Sequence, residues 1–136
     1  MKKKILLLFL ILLVGFAFVG CSKNEEKKED TKKTEEIKGK LVSDSKKIVF
    51  KQEPATYIVY YFEGDKITSY AEYIDYVYPQ DAEKAVKGYD EDMKNKRYES
   101  VKAEGQYVVV THNKSEYEYW TLEAVKQAHK NLKVVK

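Results

Sequence analysis

The sequence predicts an α+β fold: an antiparallel sheet of two hairpins with two helices packed on one face, preceded by a signal peptide and a disordered charged tether. Two pairs of segments rich in β-branched and aromatic residues flank short Gly-containing turns, 56–63 with 66–78 around Gly64-Asp65, and 98–103 with 106–112 around Glu104-Gly105. Between and after these hairpins, apolar residues recur at helical spacing at Ala82, Ala85, Val86, Tyr89 and Met93, and Leu122, Val125, His129 and Leu132 share one helix face, with His129 read as a half-buried packing residue. The order hairpin, helix, hairpin, helix suits an antiparallel sheet covered by helices on one side.

The chain opens with Lys2, Lys3 and Lys4, followed by 16 uncharged residues from Ile5 to Gly20. A basic head before an apolar run is the layout of a secretory signal, and 16 residues fall short of the ~20 that a helix needs to cross the hydrocarbon core. Residues 1–20 are therefore expected to be a removed signal peptide. The basic head stays on the cytoplasmic side, so the remainder is delivered outside.

Directly after Phe18-Val19-Gly20 stands Cys21, the only cysteine. This stretch resembles the lipobox of bacterial lipoproteins, with Phe18 where Leu is usual. The resemblance implies that a diacylglyceryl group is attached to the Cys21 thiol, that the signal is cut before it, and that the new amino group is open to acylation. Two or three acyl chains anchor a protein stably where one is marginal. Lipid anchoring at the cell membrane or the outer membrane, facing away from the cytoplasm, is the expected location. Ser22 after the lipidated cysteine resembles the pattern sent to an outer membrane where there are two.

Residues 21–40 are read as the lipidated Cys and a charged linker. Ser22 to Lys40 carries 13 charges in 19 residues and offers only Ile37 for burial. Such composition cannot offset its ordering entropy, and a flexible coil of this length reaches about 25 Å. Residues 41–136 are then the folded, extracytoplasmic domain, which holds all twelve tyrosines and the sole tryptophan and is long enough to build a core without disulfides.

Within it, Ile48-Val49-Phe50 reads as a first strand or an edge. Pro79 ends the first hairpin, Asp81 is placed to cap a helix over 81–97, and Gly88 makes that helix depend on docking. Glu116 to Trp120 alternates charge with aromatic rings like a half-exposed strand, and Thr121 is a plausible N-cap for the last helix. The Tyr-rich hairpin, its Gly64-Asp65-Lys66-Ile67-Thr68 turn and the Lys/Glu/Ala helix after it resemble small uncharacterised bacterial lipoproteins, over about 70 residues. That resemblance implies a fold and a location and no reaction.

Charge narrows the partners. Removing Lys2, Lys3 and Lys4 leaves 25 − 3 = 22 basic against 22 acidic residues, so the mature chain is neutral and nucleic acid is not an expected partner. No cofactor and no metal site is expected. The two histidines do not pair at ligand spacing, Asp90-Glu91-Asp92 lacks the alternation of a calcium loop, and no Gly-rich phosphate loop is present.

Three functional readings follow. The first is a non-enzymatic domain that binds another envelope protein or polymer through an aromatic sheet face, using Tyr57, Tyr61, Tyr70, Tyr73, Tyr76 and Trp120, since tyrosine and tryptophan suit interfaces and stacking. The second is a small envelope hydrolase or transferase using His112 with Ser115 or Glu116. The third is a structural or stress-related envelope lipoprotein without a defined ligand.

Overall fold

The computed structural model describes residues 32–89 and 97–136. The expected signal peptide, Cys21, residues 22–31 and the Asp90-Glu91-Asp92 cluster lie outside them. The compact unit runs from Lys33 to Lys136. It is a six-stranded antiparallel sheet with helices, an α+β fold.

A helix α1 over residues 32–40 leads into β1 (Lys47–Gln52), β2 (Thr56–Glu63) and β3 (Lys66–Asp75). Helix α2 (Pro79–Lys87) precedes β4 (Tyr98–Glu104) and β5 (Tyr107–His112), and helix α3 (Leu122–Ala128) precedes β6 (Lys133–Val134). The spatial order is β4-β5-β3-β2-β1-β6. Gly64 (φ 59) and Gly105 (φ 56) close the two predicted turns in the left-handed region that glycine enters at little cost. The first hairpin grows into a three-stranded meander, because β1 pairs with β2 along its whole length, while β6 caps β1 at Phe50 and Lys51.

Alternation along the strands sorts the side chains onto two faces. One face carries Ile48, Phe50, Ile58 and Tyr60, which are buried under Val125 of α3 together with Ile67 and Tyr117. Continuing on the same face, Val108 and Val110 are buried against Ala82 of α2. Both predicted helices thus share a side of the sheet.

The opposite face gives the main difference from expectation. Val49, Val59, Tyr107 and Val109 are buried there together with Ile37 and Leu41. The segment expected to remain solvated up to Lys40 is helical from residue 32, and it seats Thr34, Ile37 and Leu41 on the sheet. These residues follow the spacing i, i+3, i+7, a narrow stripe on an otherwise charged helix. Burial of Ile37 and Leu41 gives this short helix the stabilisation its isolated form lacks.

Other boundaries move for local reasons. Strand β3 stops at Asp75 rather than running on to Tyr78. Helix α2 begins with Pro79 in its first turn and Tyr78, rather than Asp81, at its N-cap; it ends at Lys87 with Gly88 as C-cap. Glu116–Trp120 is not a strand: Lys114–Glu116 is a 3-10 turn, Tyr117 is buried at 9% exposure and Tyr119 stands 87% exposed. In a strand those two would face the same way. Thr121 does cap α3, its Oγ1 accepting a 3.1 Å hydrogen bond from the amide of Ala124.

Candidate functional site

Strand pairing decides which of the expected site residues meet. Tyr57 and Tyr73 are cross-strand partners, and Tyr61 lies opposite Ser69 on the same face. Both Tyr57 and Tyr73 set their rings edge-on to buried Tyr107, with centroids 6.5 Å away. Lys51 places its ammonium 5.7 Å from the centre of the Tyr57 ring, a cation–π contact. Ala71, between Tyr73 and Ser69 on β3, is itself buried. Burial, with the nearby Tyr61 and Glu104 in support, pushes the Tyr73 hydroxyl up to about 12, so it stays protonated and able to donate. Tyr61 is 36% exposed. In this aromatic strip, next to α1, Tyr57 and Tyr73 are half-buried and Tyr61 is the exposed member.

Tyr70 and Trp120 belong to the other face. Tyr70 stacks on Tyr60 with centroids 4.7 Å apart, and Trp120 tilts over both rings at 6.0 and 5.9 Å. Tyr76 sits beyond the end of β3 with Val77 and Tyr78, all exposed. The six expected residues are therefore divided: three on the strip, two in the seam between α2 and α3, and one at a sheet end.

The seam also holds the histidines. His112, one residue beyond the Ala71–Thr111 pair, stacks on Tyr70 at 3.8 Å and 7°, with the edge of Tyr98 at 5.3 Å. Its Nε2 lies 3.4 Å from Glu72 Oε2, long for a hydrogen bond but within ion-pair range. Glu72 also accepts a 3.0 Å hydrogen bond from the Tyr70 hydroxyl. The His112 contact holds the Glu72 carboxyl below its ordinary range, against the opposing effect of burial. The Tyr70 hydroxyl is pushed strongly up by burial and by the Glu72 charge.

Ser115 and Glu116, the expected partners of His112, instead occupy the exposed side of the following turn. Glu72 was missed because its pairing needs the non-sequential β3–β5 adjacency; its presence among tyrosines on a strand carried no signal of it. Both His112 ring nitrogens are buried, so a substrate reaches them only if Tyr70 or Tyr98 swings away. The arrangement fits a polar tie within an aromatic core better than a general base.

His129 ends α3 against Phe50, with ring centroids 4.9 Å apart, and its Nε2 lies 2.9 Å from the Tyr60 hydroxyl. Burial lowers its proton affinity. This matches the packing role expected for it, with one hydrogen bond added. Among the described residues no group of three His, Cys, Asp or Glu side chains converges to hold a metal, and no helix is long and apolar enough to cross a membrane. No protein-family model matches this chain, and no match to it is found among curated proteins or solved structures.

Proposed function

We propose that this protein is exported, acylated at Cys21 and held on the outer face of a bacterial membrane, where its domain binds another envelope protein or polymer without catalysing a reaction. The location rests on the basic head, the apolar run and the single cysteine at its end. The binding role rests on one observation above all: Tyr57, Tyr61 and Tyr73 share the sheet face that α1 covers only in part, with Tyr61 exposed opposite Ser69. Rigid aromatic rings carrying a polar tip give contact area at low entropic cost, which suits protein surfaces and sugar rings alike.

The test uses the mature chain in its native membrane. Crosslinking and capture are compared between the wild type, the Tyr61→Ser/Tyr73→Ser double variant and Tyr119→Ser, which alters an exposed ring in the loop before α3. A component lost only from the double variant supports the reading. Retention of every captured component by the double variant contradicts it.

A further inference from the structure

We propose that the Tyr76-Val77-Tyr78 turn is a second membrane contact, dipping into the headgroup region of the bilayer that carries the Cys21 lipid. The inference takes the direction of approach from the reading of Cys21 as the anchor. Tyr76, Val77 and Tyr78 are 36%, 63% and 58% exposed, three consecutive large apolar side chains in solvent. Isolated exposed apolar residues need no explanation, but a contiguous protruding group marks a contact surface.

The turn is built rather than loose. Val77 has φ 70, a left-handed conformation that a β-branched residue adopts only under external constraint. That constraint is present: Asp75 Oδ1 accepts from the Val77 amide at 2.8 Å and from Gln106 Nε2 at 2.6 Å. The Tyr76 amide donates to the Gln106 carbonyl at 3.0 Å, and the Asp75 amide to the Ala55 carbonyl at 2.8 Å. Pro79 then starts α2 at once. Local strain sustained by surrounding hydrogen bonds is a recurrent sign of a functional surface.

Its place in the fold selects the occupant. Gln106, which holds the turn, follows Gly105, and Gly105 is the residue against which Thr34 of α1 packs closely. The chain from Cys21 therefore joins the domain at this end of the sheet. From Cys21 to Lys33 is 12 residues, which can span at most about 43 Å. The opposite end, with the Gly64 turn, Tyr119 and Trp120, lies a strand length further off, roughly 33 Å for the ten residues of β3. Of the exposed aromatic groups, the 76–78 turn is thus nearest the point where the anchored chain enters. Tyrosine is also a residue that concentrates at the membrane–water boundary, ring among acyl ends and hydroxyl among headgroups. A lipid chain alone leaves the body free to tumble; a second shallow contact orients it and turns the remaining surface toward the envelope.

The experiment uses the full mature chain purified with its lipid and placed in phosphatidylethanolamine–phosphatidylglycerol vesicles containing shallow spin-labelled lipids. Val77→Cys carries an environment-sensitive fluorophore, Gln80→Cys repeats the measurement beside the turn, and the native Trp120 reports from the far end. Probes at 77 and 80 quenched at least threefold more than Trp120, with blue-shifted emission, are the expected result. Quenching at 77 and 80 no greater than at Trp120 overturns the proposal, whatever the state of Cys21. The intact mass of the same sample reports acylation separately, so an unacylated chain that still shows quenching sinks the anchor and spares the turn.

Discussion

At Glu72 the carboxylate lies between the Tyr70 hydroxyl at 3.0 Å and His112 Nε2 at 3.4 Å, while at His129 the ring nitrogen meets the Tyr60 hydroxyl at 2.9 Å. The two groups predict different pH windows. The Glu72 carboxyl is lowered in the fold, so its stabilising contribution is complete above the ordinary carboxylate range and is lost as pH falls through the lowered value. Glu72→Gln should cost about 1–3 kcal/mol at pH 7 and progressively less as pH falls through the lowered value, measured by denaturant midpoints across the acid range; a cost that does not change with pH would contradict the charge role. His129 is also lowered, through burial, so the unfolded chain takes up its proton first. Stability should therefore decline as pH drops below about 6.5, and His129→Phe should flatten that decline relative to the wild type. A slope unchanged by the substitution would mean that the ring is solvated in both states. Alternation made it legible that the tyrosines divide between two faces, but not which strand neighbours which. Glu72 meets His112 only because β5 returns beside β3, and no local pattern encodes that return.

Helix α1 is the element the sequence concealed. Its stripe is Thr34, Ile37 and Leu41, and a boundary drawn where the charge run ends, at Lys40, separates Leu41 from the residues it pairs with. Glu and Lys at every remaining position except Gly39 make the segment look solvated, although three contacts suffice to dock it. A Cβ on Gly105 would stand 2.6 Å from Thr34 Oγ1, whereas one on Gly64 would meet nothing within 4 Å. Both glycines have φ near +60°, so Gly64→Ala should cost about 1 kcal/mol from backbone conformation alone. Gly105→Ala adds the clash, and limited proteolysis should then cut within 32–41 several times faster than in Gly64→Ala. Equal cleavage in the two variants would remove the close packing of α1 from the account. Thr121→Ala should cost about 1 kcal/mol through loss of the α3 cap, read from the shift in thermal midpoint. That cap, the two glycine turns and the helical stripes were readable because each depends on residues close in sequence. The 116–120 segment misled because alternating charge and aromatic residues also fit an irregular loop that buries Tyr117 and exposes Tyr119.

For the molecule as a whole, docking of α1 shortens the link between the proposed anchor and the folded body. Of the nineteen residues, 22–40, expected as tether, the nine from 32 to 40 are helix. The unit that starts at Lys33 should accordingly be more stable than one starting at Ser43, by about 2–5 kcal/mol for removing buried Ile37 and Leu41 from the sheet. Equal unfolding midpoints for the two would show that α1 adds nothing. The same docking leaves the Tyr57, Tyr61 and Tyr73 strip beside the helix and the 76–78 turn at the end where the chain enters, two aromatic surfaces for which separate tasks are proposed. The proposed location depends on export and acylation, and the intact mass of the protein taken from its native membrane tests that directly. The expected species begins at Cys21 and exceeds the mass of residues 21–136 by a diacylglyceryl group, with or without an added N-acyl chain; a product that keeps residues 1–20, or begins at Cys21 with an unmodified thiol, would contradict it.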